Sequence, residues 1–253
     1  VVLPSDHGIA DPAKYRSVIA AAAEAAEKKS ALVTIGLTPT SPHTGFGYME
    51  GGASAGKAAG EKLLRVKAFR EKPNLEQARI FLQSGNFFWN SGMFIWNAST
   101  ILKEIQQFLP DLYSGLMTIR ASLGTSSEAR TVSKIYKSLA SVSIDYGVME
   151  KAKDVFMIPA GFGWSDVGSW DTLWEISQKD FKGNALAGGS QAMYENAENT
   201  LVYSPNKLVA LIGIKDILVV ETKDALLVCQ RGQSQDVKKI VDALEAEGKR
   251  QLI

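Results

Sequence analysis

The apolar pattern changes character after Lys182, and that change constrains the fold of the 253-residue chain more than any other feature. Before it, helical and extended patterns alternate. Asp11-Pro12 can open a helix, because an aspartate accepts from the first free N–H groups and proline suits the first helical position. The Ala-rich stretch 13–29 is helix-forming throughout, and residues 31–38 (ALVTIGLT) read as a buried strand. After Lys182, apolar runs such as Leu208–Ile212 and Ile217–Val220 alternate with turn residues as far as Cys229, the mark of short strands. Residues 235–248 have the pattern of an amphipathic terminal helix. The expectation is an α/β domain over residues 1–182 and a small β region with a terminal helix over 183–253. No exact internal repeat supports a β-solenoid from pattern alone.

Other elements follow from local signals. Val1–Leu3 have the composition of the end of a buried strand. Residues 39–60, rich in Gly, Ser, Thr and Pro, are expected to be a loop ending in the flexible run 51–56. Residues 64–68 alternate as a strand. Residues 74–82 make a helix with Asn74 at its cap, Gln77 at the capping-box position and Gly85 past its end. Helices are expected over 99–108, 110–123, 127–139 and, capped by Asp145, 145–152. A strand over 155–159, a turn over 164–168 and a helix from Ser169 to about Gln178 complete the first part.

Charge narrows the function. With 28 Lys+Arg against 27 Asp+Glu the net charge is +1, which gives no support to bulk nucleic-acid binding or a polybasic membrane surface. No apolar run is long enough to span a bilayer. The single Cys229 rules out an intrachain disulfide and a cysteine-rich zinc site, and a cytoplasmic location is the simplest expectation.

Six segments carry candidate chemistry. Asp6, in Pro4-Ser5-Asp6-His7, lies just past a strand end, where a carboxylate can hold Mg²⁺; a turn cap is the simpler reading of these residues alone. Gly45-Phe46-Gly47 lets backbone approach a sugar or phosphate closely, though an ordinary loop reads the same way. In Glu71-Lys72-Pro73 the carboxylate can bind hydroxyls while the ammonium meets a phosphate; a solvated pair on a strand edge is the alternative. Asn90 and Ser91 put polar groups inside an aromatic stretch, and either a structural turn or a bound sugar would satisfy them. Asp166, in Trp164-Ser165-Asp166-Val167-Gly168, could pair with Asp6 at a metal or simply start a turn, with Ser169 capping the next helix; for Asp145 the cap is preferred.

Taken in order, these segments resemble the mannose-1-phosphate guanylyltransferase family of sugar nucleotidyltransferases. The strings are PSDH (4–7), TGFGY (44–48), FREKP (69–73), WNSGMF (89–94), SIDYGVMEK (143–151) and WSDVGSW (164–170), and the tail 199–237 is similar as well. The resemblance implies a Rossmann-like, mixed-sheet nucleotidyltransferase domain followed by a short left-handed β-helix. It implies transfer of GMP from GTP to mannose 1-phosphate with release of pyrophosphate. Asp6 and Asp166 are then the Mg²⁺ carboxylates, Lys72 and Asp166 the catalytic residues, and Gly47, Glu71, Lys72 and Asn90 the ligands of the sugar phosphate. Another sugar 1-phosphate, or a non-catalytic sugar-phosphate module, is the alternative.

One part of the family pattern has no counterpart, the Gly-rich, Arg-containing loop that binds the triphosphate. The chain therefore reads as a domain lacking its N-terminal part and inactive alone. Loss of the opening strands is expected to expose a sheet edge and favour homo-oligomers. Phe46 stands where tyrosine is usual.

Overall fold

The computed structural model describes residues 1–252, which divide into two compact units. One comprises Val1–Ser5 and Ile9–Gly163; the other comprises Asp6–Gly8 and the chain from Trp164 onward. After the two-residue strand β1 (Gly8–Ile9), the first unit runs α1 (Pro12–Lys29), β2 (Leu32–Leu37), β3 (Tyr48–Ala58), β4 (Glu61–Arg70), α2 (Leu75–Ser84), β5 (Phe87–Ile95), α3 (Ala98–Phe108), α4 (Pro110–Ser122), α5 (Glu128–Ser138), a π-helical turn (Asp145–Met149) and β6 (Val155–Ala160). The second unit carries β7 (Trp164–Ser165), α6 (Trp170–Ile176), β8 (Ala185–Ala187), β9 (Gln191–Glu195), β10 (Leu201–Tyr203), β11 (Leu208–Ile212), β12 (Ile217–Glu221), β13 (Leu226–Gln230) and α7 (Val237–Ala246).

In the first unit β2 is the centre. All six of its residues are buried, as its unbroken apolar run requires. It pairs parallel with β6 and antiparallel with β5. The remaining neighbours continue β5-β3-β4, and β4 returns to β6 through Leu64↔Met157 and Arg65↔Phe156, so this mixed sheet closes into a barrel. The sheet edge expected from the sequence is therefore absent here, and self-association loses that support. Helix α1 lays Val18, Ala21, Ala22, Ala25 and Ala26 into the core, and Asp11 caps it by accepting from the Lys14 N–H at 2.9 Å. A second apolar cluster joins Leu32 and Phe94 to Ile101, Ile105, Val148, Met149 and Val155, tying α3 and the π-helical turn to the strands.

Two further expectations fail along the strands of this unit. The second half of the stretch expected to be a loop, with the whole run 51–56 expected to be flexible, is strand β3, hydrogen-bonded to β4 through three register shifts. Its glycines are there for close approach. A Cβ on Gly52 would lie 3.0 Å from the Arg65 carbonyl, and one on Gly51 3.2 Å from the Phe88 ring. Val1–Leu3, expected to be buried, are 62%, 50% and 42% exposed, and only Val2 bridges to Phe94.

The second unit is a parallel β-coil. Strands β8, β10 and β12 stack in register, Ala185 against Leu201 and Leu201 against Leu218, in steps of 16 and then 17 residues. Strands β9 and β11 form a second parallel face, and β13 closes antiparallel on β12. Columns of like side chains fill the interior: Ala185, Leu201 and Leu218 in one, Ala197, Val202, Leu211 and Val219 in another. Corners are turned by left-handed residues Asn196, Asn199 and Asp216, residue types that tolerate that backbone. At the entry, buried Asn184 accepts from the Thr200 N–H and hydroxyl and donates to Asp180 and the Ala197 carbonyl.

Candidate active site

The polar centre of β5 separates into two roles. Ser91 is buried and structural: its hydroxyl donates to the Ile35 carbonyl at 2.8 Å and accepts from the Met93 N–H. Asn90, on the other side of the strand, donates its backbone N–H to the Gly47 carbonyl at 2.8 Å. Its amide nitrogen donates to Asp145 Oδ1 at 2.8 Å, and its amide oxygen accepts from the Gly92 N–H at 3.3 Å. A Cβ on Gly47 would run into Glu71 Oε2 and touch Asn90 Cβ at 3.5 Å. The Glu71 carboxylate thus lies directly over Gly47.

Lys72 follows at φ 43°, a left-handed backbone on a non-glycine residue immediately before Pro73. Strain of this sort persists where surroundings enforce it, and it clusters at functional sites. Burial pushes the Glu71 carboxyl up from its usual range, the Lys72 ammonium opposes this, and Asp145 and Glu150 add to it. Tyr146 shares the neighbourhood; partial burial and the carboxylates of Glu71, Glu150 and Asp145 raise its phenol. An aromatic corner backs Gly47. His43 and Phe46 stack at 3.9 Å, Phe46 meets Trp89 edge-on at 5.0 Å, and the Tyr48 hydroxyl donates to the His43 carbonyl.

The structure thus brings Gly47, Glu71, Lys72 and Asn90 together, and adds Asp145, for which the sequence favoured a helix cap. Asp145 instead opens the π-helical turn, with no side-chain cap bond there, and spends its carboxylate on Asn90. Such turns occur often at functional sites. A half-buried amide inside an aromatic strand needs a partner, and that need was the available signal.

Asp6 and Asp166 belong to the second unit, where both face His7. Burial lowers the imidazole's pKa while the two carboxylates, Asp6 first, oppose the shift. The Trp164 indole N–H donates to His7 Nδ1 at 2.9 Å, with the rings edge-to-face at 5.1 Å. Because an indole only donates, Nδ1 carries a lone pair. Asp166 Oδ1 accepts from the Gly168 N–H at 3.1 Å, and a Cβ on Gly168 would lie 2.6 Å from Asp166 Oδ2. Between them Val167 is held at φ 49°, an uncommon conformation for a β-branched residue. Ser169 caps α6 as expected, accepting from the Thr172 N–H.

Two carboxylates suit Mg²⁺, a hard cation that takes one or two protein carboxylates and completes its shell with water and substrate phosphates. Among the described residues no group of three or more His, Cys, Asp and Glu gathers for an all-protein cage.

The sequence profile of the nucleotidyl transferase family matches residues 1–183. The chain belongs to the nucleotidyl transferase family. Behind this region the profile of a MannoseP isomerase/GMP-like beta-helix domain matches residues 195–244, over the β-coil. A putative mannose-1-phosphate guanylyltransferase of Vibrio cholerae is 40% identical over 98% of this chain and 52% of its own length. A mannose-1-phosphate guanylyltransferase of Salmonella montevideo is 41% identical over 100% of this chain and 54% of its own length. A crystal structure described as mannose-1-phosphate geranyltransferase from Thermus thermophilus superposes with a TM-score of 0.84 at 32% identity, covering 96% of this chain and 69% of that one. The chain spans about half the length of the curated relatives it matches. The resemblance read from the six motifs to mannose-1-phosphate guanylyltransferases agrees with these names. Among the described residues no helix of this nucleotidyl transferase is long and apolar enough to cross a membrane.

Proposed function

We propose that the protein transfers GMP from GTP to mannose 1-phosphate, giving GDP-mannose and pyrophosphate. The names of the relatives support the reaction, and one observation carries the sugar half of it: the Glu71 carboxylate over Gly47, beside Asn90 and Lys72. Glu71 and Asn90 take the sugar hydroxyls, with Gly47 leaving room for the ring. Lys72 meets the sugar phosphate as a point charge and holds it for in-line attack. A phosphate oxygen of mannose 1-phosphate attacks the α-phosphorus of GTP. The bond from that phosphorus to the oxygen bridging to the β-phosphate breaks, and pyrophosphate leaves with the electron pair. Positioning and electrostatics carry such a step. Asp6 and Asp166 would hold Mg²⁺, which when bound neutralises charge on the phosphate oxygens. Trp164 keeps His7 Nδ1 unprotonated, so the imidazole that feels both carboxylates is neutral.

The test is pyrophosphate release with GTP, mannose 1-phosphate and Mg²⁺ by the full-length gene product, with glucose 1-phosphate as a competitor, beside the 253-residue chain, which is expected to release little for want of a Gly-rich, Arg-containing triphosphate loop. Release that Asp166→Ala lowers by roughly 10²–10³-fold is the expected result, on the scale of losing one electrostatic group at a reacting centre. A mannose 1-phosphate affinity no better than that for glucose 1-phosphate would overturn the substrate assignment.

A further inference from the structure

The amide of Asn90 is fully oriented by its surroundings. An ionised carboxylate can only accept, so the hydrogen bond to Asp145 Oδ1 identifies the group facing it as the NH2. The same orientation lets the amide oxygen accept from the Gly92 N–H. With these two bonds made, the amide keeps one N–H and one lone pair, a donor and an acceptor. That pair matches a sugar hydroxyl, which both donates and accepts, while the neighbouring Glu71 carboxylate accepts only. A flipped amide would exchange the two offers and leave Asp145 facing an oxygen.

Asp145 is itself held from behind. Its carbonyl accepts from the Glu150 N–H at 2.9 Å to close the π-helical turn. The turn packs down because Gly147 has no side chain: a Cβ there would lie 2.9 Å from Leu109 Cδ1. Val148 and Met149, the next two residues, are buried in the cluster with Leu32, Phe94, Ile101, Ile105 and Val155. Core packing thus fixes the backbone of Asp145, while the barrel fixes that of Asn90 through the Gly47 carbonyl.

We propose that Asp145 is the positioning residue of the sugar site: it sets the orientation of the Asn90 amide, and through it which sugar hydroxyl the site accepts. The inference rests on the sugar-phosphate reading of this cluster. Its role is that of an acceptor and does not depend on its charge, which yields a specific contrast. Asp145→Asn keeps an oxygen for the Asn90 NH2, whereas Asp145→Ala keeps nothing.

Two measurements on the whole chain test this. The first needs no ligand. The side-chain ¹⁵NH2 group of Asn90, assigned through Asn90→Gln, is expected to exchange slowly with solvent and to show a high order parameter in the native protein and in Asp145→Asn, and to exchange faster with a lower order parameter in Asp145→Ala. An Asn90 amide equally ordered in Asp145→Ala overturns the positioning role. The second is calorimetric titration with mannose 1-phosphate. Asp145→Ala is expected to weaken binding roughly tenfold, the worth of one oriented hydrogen bond, while Asp145→Asn stays within about twofold. Equal weakening by both variants overturns the acceptor role. A native chain that binds no mannose 1-phosphate, while its Asn90 amide loses order in Asp145→Ala, overturns the sugar-phosphate reading and the substrate half of this inference with it.

Discussion

Each unit of the molecule lays a carboxylate over a glycine: Glu71 over Gly47 in the barrel, Asp166 over Gly168 in the β-coil unit. The device is the same and the surroundings differ. Glu71 is pushed toward its neutral form by burial and by two further carboxylates, with one ammonium beside it. It sits against an aromatic corner and an oriented amide. Asp166 shares a neutral imidazole with a second carboxylate, Asp6, which is exposed to solvent. The first setting suits hydroxyls and a phosphate; the second suits a cation. The glycine only makes room, and the neighbours decide the chemistry.

The sharpest way to break that comparison is to remove each carboxylate in turn. Asp166→Ala should suppress pyrophosphate release while leaving the mannose 1-phosphate dissociation constant within about twofold. Glu71→Ala should raise that constant by roughly 10–100-fold, because it removes hydrogen bonds to a charged acceptor. Calorimetry beside the release assay reads both, and matching losses of sugar-phosphate binding would end the division of labour. Stability offers a contrast of middle size. Asn184→Ala in the coil strands the Thr200 hydroxyl and the Ala197 carbonyl and should cost about 2–3 kcal/mol in denaturant unfolding. Asp11→Ala in the barrel unit removes one cap and should cost only about 1 kcal/mol. An Asn184 variant as mild as the cap variant would show that the coil does not depend on its entry residue.

Acid gives the gentlest test. The Glu71 carboxyl is raised above its reference value of 4.5, and the ionised form is the one that accepts hydroxyls. Mannose 1-phosphate affinity should therefore decline as pH falls through a value above 4.5, and Glu71→Gln should lack this step. For folding the sign is opposite. The native state holds this proton more tightly than the unfolded chain, so the favourable contribution of Glu71 is complete below 4.5 and is lost as pH rises through the native value. A native-protein titration step at or below 4.5 would contradict the burial of Glu71.

Much of this was legible before any coordinates. The Asp11 and Asn74 caps and the buried run of β2 rest on local chemistry, and all appear as read. The hairpin of β3 was not legible, because glycines that serve close backbone approach have the same composition as glycines that serve a loop. The coil showed no repeat because its steps are unequal and its stacked residues vary, from Ala185 to Leu201 to Leu218. Of the site, the strings named Glu71, Lys72, Asn90, Asp6 and Asp166. They contained Asp145 but read it as a helix cap, because its hydrogen bond is to a side chain 55 residues away.

Gly47 has a consequence in the language of genes. Its φ is not in the left-handed region, so the backbone there suits any residue, and only the space under Glu71 is restricted. Every missense change of a glycine codon installs a β-carbon, and every one meets the same carboxylate. That carboxylate is the free end of a flexible side chain and can swing aside, sparing the fold while surrendering the proposed hydroxyl ligand. Selection at this codon should therefore be blind to the identity of the newcomer: alanine and arginine would be purged alike, in strains whose protein is folded and abundant.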